Sequence, residues 1–177
     1  MQTRTALATL PFFEEAIVAV DAPREQVFAF VDKPARLAGH MVRRTWMMGG
    51  GRMQLDTDQH GGQRIGSRIT LKGRAFGIPL RLEAEVTQRD PPAIKCWQTV
   101  SEPRLLVIGR YRMTVTIDRA PRQSLVSIRI DFALPGLRHG SIARGLARTY
   151  ARWCVRRMAS DIVSAFDFGM SYRGLAR

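Results

Sequence analysis

Two tyrosines, a thiol and a carboxylate are the residues of this chain best suited to chemistry inside an apolar site. Tyr150, Cys154, Met158 and Asp161 recur at helical spacing in SIARGLARTYARWCVRRMASDIVSAFDF, the stretch from Ser141 to Phe168. At 3.6 residues per turn they share one face with Ala143, Ala147 and Ala165. Tyr111 stands in LLVIGRYRMTVTIDRAP, which reads as one long strand, with Leu105, Val107 and Gly109 on its own side by period two. His40 ends a short helical stretch that begins at Pro34. In an apolar pocket a phenol and an imidazole can orient a ligand carbonyl, or serve as acid and base. Trp46, Phe76 and Gln98 join Tyr111, Tyr150, His40, Cys154, Met158 and Asp161 as candidate ligand contacts. The competing structural reading makes both tyrosines core residues with satisfied hydroxyls, and pairs Asp161 with Arg157 four residues earlier. No residue is assigned a catalytic role.

Other chemistries lack their residues. None of the three histidines, His40, His60 and His139, has an acidic or imidazole neighbour at ligand spacing, so no metal site is read. Met41, Met47, Met48 and Met53 cluster around the glycines at 49–51, where thioethers fill irregular space rather than bind copper. The glycine runs at 49–51 and 61–62 lack the strand, lysine and helix of a phosphate loop. No cofactor is expected. Cys96 and Cys154 lie on a strand and on the last helix, which suits two reduced, buried thiols.

Charge is the outlying property. The chain of 177 residues carries Lys+Arg 28 against Asp+Glu 15, a formal +13 with a sequence pI near 11.3. Such an excess draws polyanions. Arg144, Arg148, Arg152 and Arg156 recur every fourth residue and read as a basic band on the outer face of the last helix. That band suits an anionic membrane surface, against the plainer reading of a solvated helix face. No recognition helix or aromatic stacking motif supports nucleic acid. The N-terminal stretch MQTRTALATLPFFEEAIVAV is interrupted by Pro11, Glu14 and Glu15 and does not read as a signal peptide. No run approaches the ~20 apolar residues that span a bilayer. The expected location is the cytoplasm, with peripheral visits to a membrane.

The elements that position these residues are mostly strands. Phe12 to Val20 is β-branched and apolar. DAPREQVFAFV and the stretch from Pro34 to about His40 read as two short helices, and MVRRTWMMGGGRMQLDTD as strands around the glycines. GSRITLKGRAFGIPLRLEAEVTQRD is a long hairpin turning at Phe76 and Gly77. AIKCWQTVS, the Leu105 strand and SLVSIRIDFALPG follow, before the long helix. Period two sets Trp97 opposite Cys96 and Gln98 and leaves open which set faces inward. Sequential strands with helices on one face make an α+β domain, and 177 residues suit a single one.

This order resembles the START-like (SRPBCC) superfamily, and most of all its polyketide cyclase/dehydrase and lipid-transport branch. The resemblance rests on Asp21, Ala22 and Pro23 before Val27-Phe28, on Gly66, and on Glu85, Val86, Thr87, Pro91, Pro92 and Trp97, and it spans about residues 12–168. It implies a helix-grip fold of the Bet v 1 kind. A seven-stranded antiparallel sheet would wrap the C-terminal helix around an apolar cavity, with two short helices closing one end. Members hold sterols, lipids, quinones or polyketides there. Two functions follow as expectations. The first is a carrier or chaperone of a lipid or isoprenoid quinone-like molecule. The second is a cyclase or dehydratase acting on an aromatic or polyketide-like substrate. A third class, an interaction module without a ligand, requires a cavity filled by side chains.

Overall fold

A computed structural model describes residues 10–37, 53–121, 123–136 and 140–173, those from 168 onward as backbone only. Strand β1 (Phe12–Val20) leads into helices α1 (Arg24–Val31) and α2 (Pro34–Leu37). Strands β2 (Met53–Thr57), β3 (Arg68–Ala75), β4 (Ile78–Asp90), β5 (Ile94–Thr99), β6 (Tyr111–Arg119) and β7 (Ser124–Phe132) follow, then helix α3 (Ser141–Arg173). The strands form one seven-stranded sheet in the order β1-β7-β6-β5-β4-β3-β2, every pairing antiparallel. This is the helix-grip architecture. The strand expected between residues 41 and 48 lies outside the described residues.

Alternation builds the inner face. Val126, Ile128, Ile130 and Phe132 of β7 are buried, as are Met113, Val115 and Ile117 of β6. On β4, Leu80, Leu82, Ala84 and Val86 alternate inward up to a bulge between Val86 and Gln88. Trp97 pairs with Met113 and Lys95 with Val115. Trp97 and Lys95 therefore face inward, while Cys96 lies on the outer face, its thiol 3.6 Å from the Thr114 hydroxyl.

The β3–β4 hairpin closes through a two-residue turn, with Ala75 paired to Ile78. Both turn residues are left-handed, Phe76 at φ 52° and Gly77 at φ 77°. Such turns favour Asn-Gly. Glycine adopts this backbone freely, whereas a phenylalanine there costs about 1–2 kcal/mol.

The long strand expected from Leu105 begins only at Tyr111. Residues 105–110 cross from β4 to the end of β7 instead. Arg104 pairs with Arg81, and Gly109 N–H donates to the Ala133 carbonyl at 2.9 Å. A Cβ at Gly109 would meet the Leu134 carbonyl oxygen at 2.7 Å, so only glycine lets the backbones approach. Tyr111 faces inward through the register of β6, not through continuity with Leu105.

Helix α3 lies chiefly on β1 and β7. Its buried side carries Ala147, Ala151, Cys154, Val155, Met158, Ala159 and Ile162. This side is rotated from the expected face. Asp161 is partly exposed and Ala165 exposed, because the small residues 147, 151 and 159 let the helix settle against β1. Tyr150, Cys154 and Met158 are left along its cavity side.

Candidate ligand-binding site

Between the sheet and α3 lies a cavity enclosing about 810 Å³ of empty space, the part open to solvent included. Its walls are apolar: Leu71 and Leu82 from the hairpin, Met113 and Ile130 from the central strands, Leu105 and Ile108 from the crossing segment. Val31, Pro34 and Leu37 bound it at the α1–α2 end. An apolar lining with a few polar groups is the composition of a small-molecule pocket.

Four polar side chains face it. The Trp97 indole N–H is the partner of the Tyr111 hydroxyl. Across the cavity the Tyr150 hydroxyl lies beside the Cys154 thiol. Burial pushes the Tyr111 and Tyr150 phenols up from their ordinary value, and the Cys154 thiol up to about 12. All three are therefore neutral near pH 7 and act as hydrogen-bonding groups rather than bases. The Tyr150 ring is steadied from outside by Trp153, with ring centroids 5.8 Å apart.

The fifth polar group is Lys95, 1% exposed. Only its stem serves the cavity. Its ammonium donates to the Asp32 carbonyl at 2.6 Å, the Asp32 carboxylate at 2.9 Å and the Gly62 carbonyl at 2.8 Å, so its three donors are engaged. Arg89 completes the cluster with two bonds to Asp32, 3.1 and 2.9 Å. Burial alone would raise the Asp32 carboxyl; Arg89 and Lys95 outweigh it and hold the group below its usual value. Burial in turn lowers the Lys95 ammonium, against the pull of Asp32. The cluster ties the end of α1 to the loop before β3. Gly62 sits in that loop at φ 72°, where a Cβ would strike Pro34 at 2.6 Å.

A second, outer chamber adjoins the first and shares Leu105 and Tyr150 with it. It encloses about 710 Å³, again counting open solvent, between Met53, Ala75, Phe76, Leu80, Leu106 and Leu146.

The sequence-predicted residues divide accordingly. Tyr111, Tyr150, Cys154 and Met158 come together in the inner cavity. Phe76 lies at the outer one. Gln98 is elsewhere: it faces outward, its Oε1 accepting from Arg112 at 3.4 and 3.3 Å. Asp161 does not line the cavity; it pairs with Arg157 at 3.4 Å. His40 and Trp46 fall outside the described residues. Trp97 and Lys95 are cavity residues that spacing did not single out.

The arginine band is only partly free. Arg148 and Arg152 each reach Glu14 of β1 at 3.0 Å. Burial would raise the Glu14 carboxyl, but these arginines prevail and lower it. Arg144 stacks over Phe12, 5.9 Å from the ring centre. Among the described residues no group of three or more His, Cys, Asp or Glu is placed to hold a metal, and no helix is long and apolar enough to cross a membrane.

Solved structures with this fold are numerous. A protein of Thermus thermophilus superposes with a TM-score of 0.64 at 15% identity, covering 86% of this chain and 94% of its own. Norcoclaurine synthase of Thalictrum flavum, solved with dopamine and hydroxybenzaldehyde, gives 0.61 at 14% identity, covering 89% and 87%. A major latex-like protein of Panax ginseng gives 0.53 at 14%, covering 87% and 97%. At these identities the likeness is one of fold. No curated protein sequence matches the chain. The sequence itself matches a family over residues 14–163, from β1 through most of α3, and by that match the chain belongs to the polyketide cyclase / dehydrase and lipid transport family.

Proposed function

We propose that the protein binds an apolar, oxygen-bearing small molecule in the inner cavity and acts as its carrier or chaperone, a lipid or isoprenoid quinone being the class that fits best. One observation carries this reading: the cavity's polar groups are neutral donors set in an apolar wall, and its single ammonium is fully engaged. Trp97 and Tyr111 on one side and Tyr150 with Cys154 on the other would fix a ligand oxygen. Burial of the remaining surface would supply affinity at roughly 25 cal/mol per Å². Met158 and Leu105 would complete the contact.

The cyclase or dehydratase reading has support of its own in norcoclaurine synthase, a neighbour of the same fold that holds dopamine and hydroxybenzaldehyde. It requires a base near the substrate. Among the described cavity residues none is ionised and free to accept a proton, which favours the carrier.

The test is native mass spectrometry of protein purified from its own host, with organic extraction of what stays bound. A co-purified lipid or quinone supports the carrier. An empty protein that also takes up no neutral apolar dye counts against it.

A further inference from the structure

The outer chamber opens beside exposed apolar side chains on two elements. Phe76 and Ile78 at the tip of the β3–β4 hairpin are 66% and 49% exposed; Ile142 and Leu146, one turn apart on α3, are 79% and 57% exposed. Phe76 and Leu146 also line the chamber. Phe76 holds its place against its backbone, with φ at 52° in a turn that suits asparagine. A strained residue that is also largely exposed serves neither the turn nor the core, and such outliers point to function.

Cations stand directly behind the tip. Arg74 lies opposite Pro79 and Lys72 opposite Arg81, on the outer face of the hairpin, and Arg104 is bridged to Arg81. On this face Glu83 is paired with Arg81, and Asp56 of β2 lies in the same row, opposite Thr70. Apolar side chains that enter the headgroup boundary, backed by guanidinium groups that meet lipid phosphates, are what an interfacial contact requires. The chain's net charge of +13 adds long-range attraction to such a surface.

We propose that this end of the molecule, with Phe76, Ile78, Ile142 and Leu146 as the apolar contact and Lys72 and Arg74 as the cationic one, docks on an anionic phospholipid membrane and opens the outer chamber to the acyl region. The docking face is thus the hairpin tip rather than the α3 arginines, of which Arg148 and Arg152 are held by Glu14. A ligand passes between bilayer and cavity beside Tyr150 and Leu105, which the chambers share, without crossing water. This inference rests on the ligand-binding reading above.

The experiment is flotation with phosphatidylcholine vesicles, with and without phosphatidylglycerol, on the wild-type chain, Phe76→Asn, Leu146→Gln and the double variant Arg144→Gln/Arg156→Gln. The wild type floats with phosphatidylglycerol vesicles and much less with phosphatidylcholine alone. Phe76→Asn raises the melting temperature, because its backbone favours asparagine, yet weakens flotation roughly tenfold, as expected for withdrawing one large apolar side chain from the interface. Leu146→Gln weakens it similarly, and the α3 double variant changes it about twofold or less. Unchanged flotation of Phe76→Asn, loss confined to the α3 variant, or no flotation of the wild type overturns the proposal. So does a dimer, seen by light scattering, that Phe76→Asn dissolves, since a second copy would then cover the tip. Uptake of Nile red without vesicles is read separately. Its absence overturns the ligand-binding reading, whereas its presence without flotation overturns the docking surface alone.

Discussion

At the scale of single residues, the cavity is defined by neutral hydroxyls. Tyr111→Phe and Tyr150→Phe remove one oxygen each and leave the ring in place. For an oxygen-bearing ligand each should cost about 0.5–1.5 kcal/mol of binding, roughly a threefold to tenfold weaker affinity. Affinity for a pure hydrocarbon probe should not change, and titration by intrinsic tryptophan fluorescence, to which Trp97 in the cavity wall contributes, reads both. Equal losses for both kinds of probe would mean that the hydroxyls hold the wall rather than the ligand. Lys95 shows the opposite economy. It lines the same cavity, yet the Asp32 and Gly62 acceptors engage its donors completely. Asp32→Ala strands that ammonium and the Arg89 guanidinium and should destabilise the fold by about 3–5 kcal/mol in urea denaturation. Replacing Lys95 by methionine in the same background should recover much of the loss, since an apolar side chain suits the site.

At the scale of elements, helix α3 shows how small residues set the width of the cavity. Ala147, Ala151 and Ala159 are buried where the helix rests on the sheet. Ala151→Leu adds three carbons at a contact with no room, and should lower stability by about 1–3 kcal/mol, measured by thermal unfolding, while lifting the helix locally. The elements were unevenly legible. β4 and β7 alternate strictly, so period two finds both strands and their inner faces. The start of β6 could not be read, because LLVIG is as apolar as a strand; its course is decided by remote partners, Arg81 at one end and Ala133 at the other. The buried face of α3 was ambiguous for a related reason. A helix rich in alanine carries almost no hydrophobic asymmetry, so the Tyr150–Asp161 face and the Ala151–Ile162 face read nearly alike. Gln98 was misplaced because β5 has polar and apolar residues on both faces, and only its pairing with β6 shows that Gln98 points outward. Lys95 escaped notice because an ammonium in a strand ordinarily means solvent.

At the scale of the whole molecule, two carboxylates tie distant parts together, Asp32 joining α1 to β5 and Glu14 joining β1 to α3. Both are held below their ordinary pKa. Their contribution to stability is therefore fully present above the unfolded carboxylate range, near ~4. It is lost as pH falls below that range through each folded value. The melting temperature should hold from neutrality to about pH 5 and drop steeply below it, and Asp32→Asn should be less stable at neutrality with a shallower acid limb.

The place of Glu14 on β1 also bears on the chain before it is folded. Val20 of β1 is paired with Ser124 of β7, so β1 waits for about a hundred residues of synthesis before its partner exists. At ~5–20 residues per second that interval is about 5–20 s, during which FFEEAIVAV is an unpaired strand with an apolar face. Such a strand invites pairing with the wrong chain. Glu14 sits on that face, and until α3 emerges there is no Arg148 or Arg152 to neutralise it. An inward-pointing charge disfavours such pairing, so the carboxylate that fastens the helix in the folded protein also marks this strand against the wrong partner until β7 and α3 are made.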